Sequence, residues 1–270
     1  MYLAKAKKIL ESEYHEHYAQ YKNDYQMAFM DEKIKHSYQV LGAGNFILNH
    51  ESCFADCSAE EKEYLQAMVL LHDVARFYEI LVVGEGRGFD HGVYGAKMLS
   101  LIPEFNAVEI ILPIKHHGHL IEALYDDEEY KVLPFDVQEK VRRNAFLVRD
   151  ADKLANFYLL ASHYETVRDV FFVSKKYISP YDKSPSFEML ERYNAYSSSI
   201  PVSFKKNFAD EALLICAWVY DLNYNASFEF MKRLRIVPKL FEHFSQYWNS
   251  DDRLKYEQTM QEYIRKRLEI

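Results

Sequence analysis

The residues of this chain best suited to chemistry are histidines and aspartates that interrupt apolar helical runs. His72 and Asp73 lie inside one such run, which extends from Met68 to Ala75. Burying an unpaired carboxylate is costly, so such a group normally finds a cation, a metal ion or strong hydrogen-bond donors. A single His-Asp step is equally compatible with a buried hydrogen-bonded pair and with a metal site, and other residues must decide between them.

Several further histidines and aspartates also lie within or at the ends of apolar segments. His36 lies on an amphipathic stretch whose face continues through Val40, Ala43 and Ile47. The others begin, end or interrupt apolar segments, and they are His91, His116, His117, Asp150 and Asp152. Neutral imidazole and carboxylate together suit divalent iron, manganese, nickel or zinc. The combination therefore favours a metal site over an isolated buried pair.

In chain order, these residues resemble the ligand pattern of the HD superfamily of metal-dependent phosphohydrolases. The pattern reads His36, His72-Asp73, His91, His116-His117 and Asp152, and the resemblance spans roughly residues 30–165. The additional histidines are similar to those of the two-metal subgroup, which includes HD-GYP phosphodiesterases and bacterial dinucleoside-tetraphosphate hydrolases. The resemblance implies a metal-dependent hydrolase that uses metal-activated water and about two divalent ions per chain, drawn from Fe, Mn, Ni or Zn.

The resemblance also implies individual roles. The first metal would be held by His36, His72, Asp73 and Asp152. Asp73 would bridge to a second metal held by His91 and by one or both of His116 and His117. Asp152 is preferred to Asp150 because its Ala-Asp-Lys-Leu context matches the family, which leaves Asp150 to support the ligands or to cap a helix.

Cationic side chains are expected to complete the substrate site. Arg76 is the first choice, because relatives with His-Asp-x-x-Lys place a phosphate-binding lysine there, although an ion pair with Glu79 is the alternative. Lys153 follows a predicted ligand and could reach substrate or only solvent. Arg87 lies in the glycine-rich loop before His91, and His119 lies two residues beyond a predicted ligand.

The substrate is not specified by the pattern. The segment after His117 lacks the Asp-Gly-x-Gly-Tyr-Pro sequence of HD-GYP proteins, so a cyclic-di-GMP substrate is not supported. His91-Gly92-Val93 matches only part of the His-Gly-Pro sequence of the tetraphosphate hydrolases. The predicted function is cleavage of a phosphoester or phosphoanhydride in a nucleotide or small phosphorylated metabolite. The alternatives are an HD-type diiron oxygenase acting on a small polar substrate and a non-catalytic HD-fold sensor.

The elements that must position these residues are predicted to be helices. All eight glycines lie between Gly42 and Gly118, and the long segments without glycine or proline are rich in helix-forming residues. We predict an all-α fold, which the resemblance makes an HD-domain helical bundle with additional C-terminal helices. The helices around the site are predicted at 31–50, 59–81, 91–101, 104–117, 134–148 and 150–178. The proline- and serine-containing stretch 179–203 divides a predicted core, 1–178, from a helical extension, 179–270.

Composition limits the partners. The net charge of −8 argues against broad binding to a nucleic-acid polymer, which needs clustered lysine and arginine. Three cysteines without pairwise spacing predict a reducing compartment, and the absence of a signal-like or membrane-spanning apolar run predicts a cytoplasmic protein. We therefore expect a small phosphorylated substrate and no membrane partner. Homo-oligomerisation is left open, and Asp126–Glu129 is predicted to be a solvated acidic loop.

Overall fold

The computed structural model describes residues 1–21, 23–83, 88–172 and 177–269. Within these residues the regular structure is entirely helical, which confirms the predicted all-α class. The predicted substrate-binding residue Arg87 lies outside the described residues. Among the described helices, none combines the length and the apolar character needed to cross a bilayer.

Two compact units divide the chain, Met1–Asp152 and Lys153–Ile270. The division falls within one helix, and the predicted domain boundary at residue 178 stays a prediction. The helices that lie in the first unit, or begin there, are α1 (Tyr2–Tyr18), α2 (Asp24–His50), α3 (Ala59–Leu71), α4 (Arg76–Val83), α5 (His91–Ser100), α6 (Val108–His116), α7 (Glu122–Tyr125), α8 (Glu128–Lys131) and α9 (Phe135–Ser162).

The core of the first unit is formed by α3, which packs against both α1 and α2. Its apolar run is fully buried from Ala67 to Leu71. The helix begins at the N-cap Ser58, whose side chain accepts a hydrogen bond from the backbone N–H of Glu61, while acidic residues occupy its first turn. Burial of this apolar run places the residues that follow it, His72 and Asp73, inside the unit.

The chain turns at residues 72–75, where the sequence predicted one helix over 59–81. That prediction was wrong, since α3 ends at Leu71 and α4 begins at Arg76. The segment contains no glycine or proline, so nothing local marks the break. On an uninterrupted helix His72 and Asp73 would point about 100° apart. The turn brings both side chains into one cluster, and tertiary contacts at that cluster outweigh the local helical preference.

A second difference concerns α9. The sequence predicted a boundary between helices near residue 149, but α9 runs without interruption from Phe135 to Ser162. The segment around the predicted boundary, Arg149 to Asp152, contains no glycine or proline that would end a helix. Arg149 and Asp150 are both almost completely buried. One rigid helix therefore carries Arg149 and Asp152 one turn apart.

Helix α6 contains Pro113, which lacks the N–H that would bond to the carbonyl of Glu109 one turn earlier. The side-chain amide of Asn144, on α9, donates to that carbonyl over 2.9 Å. A small apolar cluster joins the same helices, with α7 and α8, through Leu112, Leu124, Tyr130, Val141 and Ala145. The Glu109 carbonyl that Pro113 leaves without its usual donor is thus satisfied by a buried side chain of α9, which holds the two helices against each other.

The second unit begins with the remainder of α9 and continues through α10 (Tyr164–Phe171), α11 (Phe187–Asn194), α12 (Phe208–Ala217), α13 (Asn225–Arg233), α14 (Ile236–His243) and α15 (Ser250–Leu268). Helix α12 is buried from Ala209 to Ala217 and packs against α11, while α15 packs against α13 and α14. Within this unit the buried carboxylate of Asp210 accepts hydrogen bonds from the backbone N–H groups of Ser186 and Lys206.

Candidate metal centre

Two groups of side chains in the first unit share Asp73. One contains His36, His72 and Asp73, and the other contains Asp73, His91 and His117; within each, the donor atoms lie within 4.8 Å of one another. Four segments of chain meet here: α2 supplies His36, the turn after α3 supplies His72 and Asp73, α5 supplies His91, and the end of α6 supplies His117. The fold therefore assembles residues separated by more than 80 positions in sequence.

Each oxygen of Asp73 faces a different group. Oδ1 lies 3.2 Å from Nε2 of His117 and 3.4 Å from Nε2 of His91. Oδ2 lies 3.7 Å from Nε2 of His72. The carboxyl group is almost fully buried, which by itself would raise its pKa, but Arg76, His72 and Lys33 outweigh burial and hold the pKa of Asp73 well below its usual range. Asp73 is therefore ionised and placed between the two groups.

The tautomer of two histidines is set by backbone carbonyls. Nδ1 of His72 lies 2.9 Å from the carbonyl oxygen of Val69, and Nδ1 of His117 lies 2.7 Å from that of Ile114. A ring N–H that donates to a carbonyl leaves the other nitrogen as a lone pair, and metal-ligating histidines are usually oriented in this way. In both residues the Nε2 lone pair is thus directed into the cluster.

His72 is fully buried, and within the described part of the chain its Nε2 has no hydrogen-bond partner. Burial lowers the pKa of His72 to about 4, so the ring is neutral at physiological pH. A buried, neutral and unpartnered imidazole nitrogen costs free energy unless another group occupies its lone pair. A metal ion would satisfy this atom, and the surrounding imidazole and carboxylate donors are of the kind that bind divalent transition metals. The residues present therefore fit the predicted metals.

Asp152 lies beside the first group. Its Oδ1 is 2.9 Å from Nε2 of His36 and 3.8 Å from Nε2 of His72. Histidines 36 and 72 hold the pKa of this carboxyl far below its usual value, although burial acts in the opposite direction. Asp150, its rival in the sequence, is fully buried two residues earlier on the same helix. The geometry thus brings Asp152 to His36 and His72.

His91 is the first residue of α5, directly after the N-cap Asp90, whose side chain accepts from the backbone N–H of Val93 over 3.0 Å. Burial lowers the pKa of His91 to about 3 even though Asp73 opposes the change, so this ring is also neutral. A Cβ atom on the next residue, Gly92, would lie only 2.6 Å from the carbonyl oxygen of Lys115. This glycine lets α5 approach the backbone of α6 and brings His91 to His117.

His116 is the predicted ligand that the structure does not bring to Asp73. Its Nε2 lies 2.7 Å from Oδ2 of Asp127, and Lys115 approaches the same oxygen at 2.6 Å. The metal-binding groups formed by the described residues contain His117 and omit His116. Asp127 is 7% exposed and is the N-cap of α8, so the prediction of a solvated loop was wrong at this position. The partly buried ion pair with Lys115 explains why this acid is not in solvent.

Lys33 is the site residue that sequence reasoning missed. Its Nζ lies 3.6 Å from Oδ2 of Asp73, and its side chain is only 21% exposed. Lys33 precedes His36 by three residues on α2, so the two side chains share a helix face. That spacing was a usable signal, but lysines at helical spacing are usually solvated, and nothing local marks this one as buried.

The other predicted substrate residues are placed as follows. Arg76 lies at the site, with Nε 3.4 Å from Oδ1 of Asp73 and Nη1 2.6 Å from Oε2 of Glu79, so the predicted alternative ion pair is also present. Lys153 pairs with Asp221 at 2.9 Å. His119 is partly exposed, with Nε2 2.8 Å from Oδ2 of Asp90. The substrate roles of all three stay predictions.

Comparison with known proteins gives one match. Residues 34–156 match the family model described as HD domain. This match spans 123 residues, counted from 34 to 156 inclusive, and it includes every residue of the two metal-binding groups. No curated protein and no solved structure matches the chain. The match confirms the predicted family for the segment that carries the site, and the helical fold around that segment agrees with it.

Proposed function

We propose, on the premise that residues 34–156 form an HD domain of the metal-dependent hydrolase superfamily, that this chain is a phosphohydrolase. It would cleave a phosphoester or phosphoanhydride in a nucleotide or a small phosphorylated metabolite. The observation that carries the proposal is the position of Asp73, which lies between two histidine groups and beside two cations, Lys33 and Arg76. The net charge of −8 supports a small substrate rather than a nucleic-acid polymer.

Two metals would be held by the residues described above. His36, His72, Asp73 and Asp152 would hold the first, and Asp73, His91 and His117 would hold the second. Divalent ions bound there would lower the pKa of a coordinated water and neutralise charge that develops on the phosphoryl group. We assign His116 to Asp127 rather than to a metal, because its Nε2 is already engaged there.

The cations beside Asp73 would orient the phosphoryl group. Arg76 is held by Glu79 at 2.6 Å, so its guanidinium is fixed in place before substrate arrives. A planar guanidinium can donate two parallel hydrogen bonds to phosphate oxygens, whereas the ammonium of Lys33 supplies a compact charge. Lys33 lies against Oδ2 of Asp73 and Arg76 lies against Oδ1. Two cations so close to the metal-binding groups would favour an anionic group there and disfavour a neutral substrate.

Access to the site is proposed along α5. A cleft of about 330 Å³ opens beside His91 and is also lined by Phe89, Asp90 and His119. This volume is near the lower end of the range of small-molecule sites, about 300–1,000 Å³. The ring of Phe89 and the imidazole of His119 would contact the leaving group of the substrate. This position would account for the predicted substrate-binding role of His119.

The proposal is tested by an anaerobic assay of phosphoester and phosphoanhydride hydrolysis. The protein would be loaded separately with Mn²⁺ and Fe²⁺ and offered a panel of nucleotides and phosphorylated metabolites. We expect hydrolysis of at least one compound by the wild type, followed as inorganic phosphate or as the cleaved nucleotide or metabolite, and none by Asp73→Ala, which should bind neither metal. Asp126→Asn is the matched control, because Asp126 is an exposed acid that belongs neither to the metal-binding groups nor to the lining of the cleft.

One outcome would replace the proposal with the predicted alternative. If no phosphorylated compound is hydrolysed, and if the iron-loaded protein consumes oxygen while it oxidises a small polar compound, the chain is a diiron oxygenase. Retention of two metals per chain by Asp73→Ala would contradict the bridging position of that residue. Neither outcome depends on knowing the natural substrate in advance.

A further inference from the structure

The C-terminal end of α6 is held by a buried arginine. The guanidinium of Arg149, through Nη1, donates to the carbonyl oxygens of His117 at 3.2 Å, of His116 at 3.4 Å and of His119. The last carbonyls of a helix have no intrahelical donor, and they form the negative end of the helix dipole. A cation with several donors is therefore well matched to this end of α6.

Arg149 also lies on the helix that carries Asp152, a predicted ligand of the first metal. Arg149 lies on α9, one turn before Asp152, which faces His36 and His72. The carbonyls that it binds belong to the segment that carries His117, whose Nε2 faces Asp73. Arg149 is only 2% exposed, so its position is not free to drift in solvent. Arg149 thus connects the helix that carries Asp152, beside the first group, to the segment that carries His117 of the second group.

We propose that Arg149 is a positioning residue that sets the separation between the two metal-binding groups. The inference rests on the metal assignment of the proposed function, and it does not depend on which reaction follows. Metal sites tolerate ligand displacements of only about 0.2 Å. Loss of the guanidinium would remove this donor from the carbonyls of His117 and His119, while that of His116 would keep the backbone N–H of His119. The segment at the end of α6 would then move, and His117 would move with it.

The neighbouring contact between the same helices provides a matched control. Asn144, like Arg149, is 2% exposed and lies on α9, and it donates to a carbonyl of α6 at 2.9 Å. That carbonyl belongs to Glu109, near the start of α6, whereas the ligand His117 follows its end. A purely structural role for Arg149 would predict similar effects of the two residues on metal binding, and a positioning role predicts different ones.

The experiment is a Co²⁺ titration of the metal-free full-length chain, followed by visible absorption and by metal content per chain. We expect Arg149→Met to bind the second Co²⁺ about 10–100-fold more weakly, the range typical for loss of a group that orients a ligand. Arg149→Lys, which keeps the charge and some donors, should recover part of this affinity. Asn144→Leu should lower the melting temperature and still bind two Co²⁺ with nearly wild-type affinity.

Two results would overturn the inference. One is wild-type binding of both Co²⁺ ions by Arg149→Met, and the other is an equal loss of the second ion by Asn144→Leu. If Arg149→Met does not fold, the folded Arg149→Lys variant decides, since unchanged affinity there also rejects the role and weaker binding of the second ion supports it. A wild type that binds two Co²⁺ and hydrolyses nothing would reject the proposed function alone.

Discussion

His116 and Asp127 form a buried pair in which the imidazole Nε2 lies 2.7 Å from the carboxylate Oδ2. Its sequence neighbour His117 places Nε2 3.2 Å from Oδ1 of Asp73. Two adjacent histidines at the end of α6 therefore serve different partners. The first stabilises the connection from α6 to α8, and the second belongs to the candidate metal centre.

This division predicts different metal contents for two variants. After loading with Mn²⁺ and removal of free metal, His117→Ala should retain about one ion per chain because the second group loses a donor. His116→Ala should retain two, because its ring is engaged by Asp127. Elemental analysis per chain measures the difference. Loss of one ion by His116→Ala, with retention of two by His117→Ala, would reverse the assignment.

Lys33 is predicted to contribute to substrate binding. A charged hydrogen bond contributes about 1.5–3 kcal/mol, and each 1.4 kcal/mol corresponds to a tenfold change in an equilibrium constant. We therefore expect Lys33→Met to reduce kcat/KM for phosphate release by roughly 10–100-fold, mainly through KM. Its metal content should stay unchanged, because Lys33 is not a ligand.

The control for Lys33 lies two residues away on α2. Lys35 pairs with Glu32 on the surface, and its side chain is 62% exposed. Lys35→Met should therefore change kcat/KM very little. Equal kinetic effects of the two substitutions would indicate a general charge effect on an anionic substrate and would remove Lys33 from the site.

Alanine substitutions of Gly92 and Gly95 are predicted to affect stability and metal binding differently, although both residues lie on α5. A Cβ on Gly92 would meet the carbonyl oxygen of Lys115 at 2.6 Å, whereas the nearest atom to a Cβ on Gly95 is a side-chain carbon of Val74 at 3.5 Å. Overpacking against backbone typically costs about 1–3 kcal/mol. Gly92→Ala should lower the free energy of unfolding by about that amount. It should also weaken binding at the second metal group, since His91 moves with α5.

Gly95→Ala is the comparison, and ordinary van der Waals contact there predicts little change in either quantity. Urea unfolding and Mn²⁺ titration measure the two effects separately. If Gly92→Ala were as stable as the wild type and bound metal equally well, the close approach of α5 and α6 would not be what positions His91.

Asp127 is predicted to stabilise the fold in a pH-dependent manner. Burial would raise its pKa, but hydrogen bonds from Lys115 and His116 outweigh this and hold the pKa at about 2, below the value of about 3.9 in an unfolded chain. A depressed folded-state pKa gives stabilisation that is complete above the unfolded value and is lost as the pH falls through the folded value. Asp127→Asn should therefore be less stable than the wild type at pH 7, by about 1–2 kcal/mol.

The difference in stability should shrink as the pH falls from about 4 to about 2, because the wild-type carboxyl becomes protonated. Urea unfolding at several pH values measures it. Asp126→Asn is the control, since Asp126 is exposed, and it should match the wild type throughout. A difference for Asp127→Asn that stays constant down to pH 2 would mean that the ion pair is not its source.

The sequence by itself determined the donors and the type of fold. Histidine and aspartate carry their ligand chemistry in their side chains, so the order His36, His72-Asp73, His91, His116-His117 and Asp152 indicated the HD domain from the sequence alone. Segments poor in glycine and proline likewise indicated helices. Both conclusions depend on residue type and local spacing, and neither requires knowledge of long-range packing.

Tertiary structure alone decided which donors meet. Neighbouring residues on a helix point about 100° apart, so the choice between His116 and His117 depends on how α6 packs. The packing of the helices also places Lys33 beside Asp73 and keeps Asp127 largely out of solvent. It likewise accounts for the end of α3 just before His72. Lys33 lies 40 positions before Asp73, and Asp127 lies on a different helix from its partners Lys115 and His116, so these contacts leave no signature in the local sequence.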